Sequence, residues 1–294
     1  MARTEPTADA ARIDASLSGL DALEVPVAWR RSLGARLWSN LWPKLVAAGL
    51  FLLIWQAVVW TGWKPNYLLP GPVQVFENLG NNLDTLATAA GNTLWRALQG
   101  FGLAAVIGTV IGAGVARVRV LRAGVGSMIT GLQTMPSIAW FPLAILLFKL
   151  SEGAILFVVV LGAAPSIANG LINGIDNIPP LLLRAGRVLG ARGIAAFRLV
   201  ILPAALPAFV GGLKQGWAFA WRSLLAGELL VLISSKYSLG QQLETSSQFA
   251  DARGVIATMI VIFVVGVIID ALLFGSADRA IRRRYGLIDE GATT

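Results

Sequence analysis

Lys214, Gln215, Arg222 and Glu228 stand inside an apolar run from Pro207 to Ile233. Such groups are costly in a bilayer and persist where they face a bundle interior, a solute path or one another. At helical spacing Gly211, Gln215, Ala218 and Arg222 share one face, and Trp221, Leu225 and Glu228 share an adjacent one. Arg222 and Glu228 are therefore expected to face the interior, with Lys214 snorkelling to the inner surface. Arg222 has two readings: a transient counter-charge for an anionic solute, or a structural partner of Glu228 or another buried carboxylate. A second group, Gln133, Thr134 and Ser137, surrounds Pro136 in the apolar stretch QTMPSIAWFPLAILLF, which also holds Pro142. Prolines in a span free backbone carbonyls that need new partners, so this group is expected to line a pathway; the alternative is a kink packed against its neighbours. The third group is basic. Arg184, Arg187, Arg192 and Arg198 lie in LLLRAGRVLGARGIAAFRLVILPAAL (Leu181 to Leu206) with no acid among them. Leu182, Ala185 and Leu189 fall at i, i+3 and i+7, which predicts a short helix with one apolar stripe. Pro179 and Pro180 start it, Gly190 breaks it with a sharp turn, and Pro203 and Pro207 end the stretch. It is either a helix built to touch a partner outside the bilayer or a basic loop resting on lipid phosphates.

Little else in the chain could do chemistry. The 294 residues include no Cys and no His. That removes thiol and imidazole nucleophiles, imidazole bases, the usual zinc ligand sets and disulfides. No paired catalytic carboxylates are visible at helical spacing, and no GxxxxGK[ST] run is present, so nucleotide would have to be used by a partner. The chain is 56% hydrophobic and 14% charged, with mean hydropathy +0.70. Soluble domains average about 25% charged residues. The net charge of +8 does not point to nucleic acid, because topology accounts for where the positive residues fall.

The elements that must position these groups are six apolar segments. They cover about 45–60, 94–115, 125–148, 154–175, 207–233 and 255–274. Trp42 and Trp60 bracket the first, 18 residues or ~27 Å apart, the separation of the two interfacial belts. With Trp38 and Trp63 they read as membrane anchors. NYLLPGPVQVF (Asn66 to Phe76) reads as an external loop entering a short surface helix, and Gly108 and Gly112 form a GxxxG pair suited to close helix approach. Residues 1–40 mix acids and bases without apolar periodicity and carry no secretory signal; they are expected to be a disordered cytoplasmic tail with a surface helix over Val25–Leu41. With the N-terminus inside, the inner segments hold 17 Lys and Arg and the outer loops hold four, Lys64, Lys149, Lys236 and Arg253. That bias predicts both termini, and the arginine stretch, in the cytoplasm.

The arginine stretch resembles the EAA loop of ABC-importer permeases. That pattern reads Glu-Ala-Ala, three residues, Gly, nine residues, an aliphatic residue, one residue, Leu-Pro. Ala185 and Gly186 take its second and third places, Gly190 its glycine, Val200 its aliphatic residue, and Leu202 and Pro203 its end. Arg187, Leu189 and Ala191 are similar to the branch containing nitrate, sulfonate, taurine and bicarbonate permeases. LLPGPVQV (Leu68 to Val75), Gln133–Phe148, Glu228, Ser238-Leu239-Gly240, and Gly266 with Asp270 agree, so the resemblance spans roughly residues 45–285. Arg184 departs from it, standing where the family has glutamate.

The resemblance implies an all-α polytopic membrane protein with six transmembrane helices and the type I ABC importer permease fold. Residues 41–285 would form the permease domain, 177–203 its coupling-helix loop and 286–294 a short tail. It implies no enzymatic activity and no cofactor on this chain, with ATP and Mg held by a partner. The implied partners are a second permease copy or paralogue, two cytoplasmic ABC ATPase subunits, an external solute-binding protein and membrane lipid, without nucleic acid. Arg184, Ala185, Gly186, Arg187, Leu189, Gly190, Ala191 and Pro203 would couple to the ATPase, which would offer an acid or a neutral pocket opposite Arg184. Gln133, Thr134, Pro136, Ser137, Gln215, Arg222 and Glu228 are expected along the translocation pathway. The implied activity is import of a small solute, such as an aliphatic sulfonate, taurine, nitrate or similar oxyanion, by alternating access. An ion-coupled secondary transporter using Glu228 and Asp270 is the other reading.

Overall fold

The computed structural model describes residues 33–117, 119–231 and 237–284. The expectations for residues 1–32 and for the C-terminal tail lie outside the described residues. The chain divides into two compact units, residues 1–58 and 59–294.

In the first unit, α1 (Leu33–Trp60) passes through Pro43. It runs unbroken from Leu33, within the expected surface helix whose first part lies outside the described residues, into the first apolar segment, and Leu41–Trp60 is long and apolar enough to cross a bilayer.

Among its described residues the second unit contains helices and connecting loops but no strand. After the Pro-Gly-Pro loop, α2 (Pro72–Asn81) starts with proline in its first turn, where a missing N–H costs nothing. The long helices are α3 (Leu83–Arg117), α6 (Glu152–Asp176), α8 (Ile194–Leu230) and α10 (Ala252–Arg284). Each contains a span-length apolar window.

The core forms around α6. Its sequence is apolar on all sides and rich in small residues, the signature of a helix buried all round. It packs along both α3 and α8. Small residues set the approach. A methyl at Gly108 would lie 2.6 Å from the Ala164 carbonyl oxygen, and one at Gly112 2.9 Å from that of Ala168. The GxxxG pair is therefore a contact surface for α6. Where α6 crosses α8, Gly170 meets Gly212 backbone to backbone, so a methyl at Gly212 would lie 2.7 Å from the Gly170 Cα. Phe101 and Trp217 close the packing edge to face at 5.3 Å.

The third apolar segment is not a straight span. α4 (Arg119–Thr134) ends, Pro136 is extended (φ −59°, ψ 128°), and a 3₁₀ turn over Ser137–Trp140 leads into α5 (Phe141–Phe148). The two arms, Gly126–Thr134 and Ser137–Phe148, meet at 100°. Pro136 disfavours helix at Met135, which accounts for the break. Pro142 frees no carbonyl, contrary to the sequence expectation. It lies in the first turn of α5, and the Phe141 N–H satisfies Ile138 O. Counting the bent pair as one span brings the candidate spans among the described residues to six.

The fifth segment also starts earlier than its prolines suggest. α8 begins at Ile194, makes a π turn over Phe197–Ile201, and continues through Pro203 and Pro207. The turn widens just before Pro203, with the Leu202 N–H reaching back to Phe197 O. Proline here reshapes the helix without ending it.

Candidate functional site

The arginine stretch forms α7 (Pro180–Val188), a helix joined directly to the end of α6 and the start of α8. Proline occupies its first turn and a glycine motif closes it. Gly190 is left-handed (φ +84°), the Gly190 N–H donates to Arg187 O, and the Ala191 N–H reaches Gly186 O at 2.9 Å. That is the geometry glycine permits and side chains resist. The single buried residue of α7 is Gly186, and a methyl there would lie 2.8 Å from Val200 Cγ2. Two distant places of the motif thus meet, fixing α7 to the base of α8.

The rest of α7 is turned outward. Arg184, Ala185 and Arg187 are exposed, and so are Leu181, Leu182, Val188 and Leu189, the last at 86%. The expected apolar stripe exists, and among the described residues nothing covers it. Among the described residues no carboxylate lies within ion-pair distance of Arg184, Arg187, Arg192 or Arg198. Ala191 and Pro203 are half-buried. A cavity of about 360 Å³, lined by Ala113, Ala116, Arg117, Ile175, Ile194 and Phe197, lies beside the base of α8. Arg122 pairs with Asp176 at the same end.

The expected pathway residues separate into two sets. Gln133 is tied to α6: its Nε2 donates to Ser166 Oγ at 3.2 Å, and Asn169 Nδ2 donates to its Oε1 at 3.5 Å. Thr134 and Pro136 are exposed, and Ser137 is half-buried. A methyl on Gly162 would lie 2.6 Å from Ser223 Oγ and 3.8 Å from Ser137 Cβ, so the break in the chain packs beside the residue following Arg222. Gly211, Gln215 and Arg222 form an exposed stripe on α8, with Ala218 half-buried between them.

Arg222 does not face the interior of this chain. Its Nε donates to Ala218 O at 3.1 Å, and its guanidinium lies 5.1 Å from the Phe219 ring centroid. It does not pair with Glu228. Lys214 lies 3.7 Å from Asp270.

Glu228 is inside, as expected, and its carboxylate is enclosed by partners within the chain. It is 1% exposed and bound on both oxygens. Oε1 accepts from Arg96 Nη1 at 2.5 Å; Oε2 accepts from Thr93 Oγ1 at 2.9 Å and from the Gly240 N–H at 3.1 Å. Arg96 also approaches Glu152 at 3.5 Å. Sequence reasoning missed Thr93, Arg96 and Glu152 as partners. The available signal was that Thr93 and Arg96 are one turn apart and fall on the same face as Ala89, Ala97 and Gly100, all buried. This cluster lies at the end of α6 opposite α7, ~37 Å away along a 25-residue helix.

The described residues form a bundle of membrane-length helices, with its internal acid already paired and a basic helix exposed at one end. The comparisons give this bundle a family. The model for the binding-protein-dependent transport system inner membrane component matches residues 104–283, and the chain belongs to this family. It is 31% identical over 175 residues to a Methanocaldococcus jannaschii protein described as an ABC transporter permease, covering 60% of this chain and 65% of that one, just under two thirds of the relative's length. It is 29% identical over 257 residues to the bicarbonate transport system permease protein of Synechococcus elongatus, covering 82% and 88%. The fold is that of ABC importer permeases. A chain of the MetNI methionine ABC transporter in an inward-facing conformation superposes with a TM-score of 0.53 at 23% identity, over 68% of this chain and 97% of that one.

Proposed function

We propose that this chain is the membrane permease subunit of an ATP-driven importer that receives a small oxyanion from an external binding protein. The observation that carries the reading is α7. A rigid basic helix presents uncovered leucines and arginines without acids, and is fixed to α8 through Gly186 and Val200. An exposed apolar patch with this charge suits a docking surface on an acidic or neutral partner. In this reading two permease copies, or a copy and a paralogue, assemble with two ATPase subunits below α7. In this reading the chain sits in a cell membrane with both termini on the cytoplasmic side, the orientation the distribution of Lys and Arg favours. Closure of the ATPases pushes α7, and the bundle passes between inward- and outward-open packings. This chain contributes no catalytic group; nucleotide and Mg belong to the partner.

The anion reading rests on Arg222. Glu228 is committed to Arg96 and Asp270 lies beside Lys214, while among the described residues no carboxylate lies within ion-pair distance of Arg222. With Gln215 on the same exposed stripe, it supplies a positive group and a hydrogen-bonding amide for a solute crossing between copies. The bicarbonate permease relative fits that chemistry. Glu228, by contrast, belongs to a structural cluster and not to the pathway. The secondary-transporter reading gains nothing from either carboxylate.

The test is uptake into proteoliposomes holding the permease and its ATPase, with binding protein outside. Uptake of bicarbonate, nitrate or a sulfonate should require ATP. Arg222→Gln should lower it, and Arg184→Glu should lower it with the native ATPase. Uptake that persists without ATP and collapses with an ion gradient would falsify the reading. Unchanged transport in Arg184→Ala would remove Arg184 from the coupling contact.

A further inference from the structure

The two ends of the bundle are filled differently. At the Glu228 end, α9 (Leu239–Gln248) packs against α3, α8 and α10. The Leu239 N–H donates to Thr93 Oγ1 at 2.9 Å, and the Leu239 side chain is buried against Leu86 and Ala89. At the other end a cavity of about 360 Å³ lies between the last turns of α3 and α6 and the first turns of α8. That volume falls in the range of small-molecule sites, ~300–1,000 Å³. Its walls are Ala113 and Ala116 on α3, Ile175 on α6, and Ile194, Phe197 and Ile201 on α8. The cause is local. Two alanines give α3 little bulk where it lines the cavity, and α8 lines it with a π turn, Phe197–Ile201, in place of regular helix.

The walls are apolar, and the charge around them has one sign. Arg117, the last residue of α3, lines the cavity and is exposed. Arg192 and Arg198, exposed as well, adjoin the lining residues Gly193 and Phe197 in the chain. Asp176, next to the lining Ile175, is already paired with Arg122. Among the described residues no carboxylate lies within ion-pair distance of Arg117, Arg192 or Arg198. The walls belong to helices of membrane length, and Arg117 closes one of them, at the depth where basic side chains meet lipid phosphates. A basic pocket between spans at that depth suits a lipid with a negative headgroup. Hydrocarbon matches the walls, and phosphate matches the guanidinium. A soluble oxyanion would leave the walls unmatched, and a zwitterionic lipid would bring its own cation to the arginine. We propose that this cavity is a site for an anionic phospholipid, with one acyl chain against Ala116, Ile175 and Phe197 and the phosphate held by Arg117. The acyl chain touches α3, α6 and the base of α8 at once, beside the Gly186–Val200 contact that fixes α7. The site is separate from the stripe that carries Arg222 and does not depend on which solute is moved.

The experiment uses the full chain, assembled with its ATPase, in phosphatidylcholine nanodiscs doped with phosphatidylglycerol that carries a diazirine on one acyl chain. Illumination should place the label on residues 113–117 and 193–201 in preference to the rest of the spans. Unlabelled phosphatidylglycerol should compete it away, and glycerol phosphate should not. Arg117→Gln should weaken that competition about fivefold, the scale of one basic residue at an anionic membrane surface. Ala116→Phe keeps every charge and fills the slot, so it should abolish the label at 193–201 and leave the label on α1 unchanged. Equal labelling of these segments by a diazirine phosphatidylcholine, or unchanged labelling in Ala116→Phe, overturns the inference. So does a label that appears only when the ATPase is left out, because a protein then covers the cavity. Should Ala116→Phe fail to assemble, the comparison of the two lipids on the wild type decides alone.

Discussion

At the end of the bundle marked by Glu152 and Glu228, charge is buried and answered within the chain. At the other end, α7 carries Arg184 and Arg187 into solvent with leucines beside them, Arg192 and Arg198 follow exposed, and among the described residues no carboxylate lies within ion-pair distance of any of the four. The helices between are packed to backbone contact at Gly170 and Gly212, while a cavity opens beside the base of α8 near α7. The difference teaches where this molecule is finished and where it is not. A buried ion pair must be complete before the protein is stable, because an unpaired buried charge costs several kcal/mol. An exposed basic and apolar helix tolerates waiting for a partner, because water covers its charges until docking replaces it.

The contrast can be broken by substitution, most severely at the buried end. Arg96→Leu leaves Glu228 without its counter-charge and should destabilise the chain by about 3–5 kcal/mol, whereas Arg96→Leu with Glu228→Leu should recover much of that. Thermal unfolding of the detergent-purified protein measures both, and a single variant as stable as the double would show that the pair is not the keystone of that end. Next comes the helix crossing. Gly212→Val must push α6 and α8 apart and should cost about 1–3 kcal/mol by the same assay.

The exposed end should behave the other way. Leu189→Asp should change stability by no more than about 0.5 kcal/mol. Its binding to the ATPase should weaken about tenfold, the scale of one well-placed interface contact, read by co-purification or titration. A clear drop in melting temperature would instead mean that Leu189 is packed within the chain. The smallest effect belongs to Lys214→Ala. Its 3.7 Å pair with Asp270 is about half exposed on both sides, and such pairs contribute roughly 0–1 kcal/mol.

Much of the architecture was legible because its causes are local. Apolar runs of membrane length marked the helices; of the tryptophans, Trp60 ends α1, whereas Trp38 and Trp42 lie within it. The spacing from Arg184 to Pro203 marked α7 and the glycine that closes it. Prolines were read less well. Pro136 does break the chain, but into two arms at 100°, whereas Pro142 merely starts a helix and Pro203 and Pro207 are carried inside one. The same residue gives three outcomes according to whether its missing N–H falls in a first turn, a widened turn or an extended joint, and that is decided by the neighbouring turns. Arg222 was expected inside from its cost in lipid. It lies instead on an outer stripe of α8, where a second copy or a solute can answer it.

The sequence by itself determined the class of molecule, the number of apolar segments and the presence of a basic helix with a glycine turn, since each follows from residues close together in the chain. Only the tertiary structure decided which charges meet. Glu228 finds Arg96 across 132 positions, Leu239 finds Thr93 across 146, and Gly186 finds its niche against Val200. Desolvation makes such choices. A buried carboxylate takes whatever donors the packed helices bring within ~3 Å, and no spacing along the chain records which those will be.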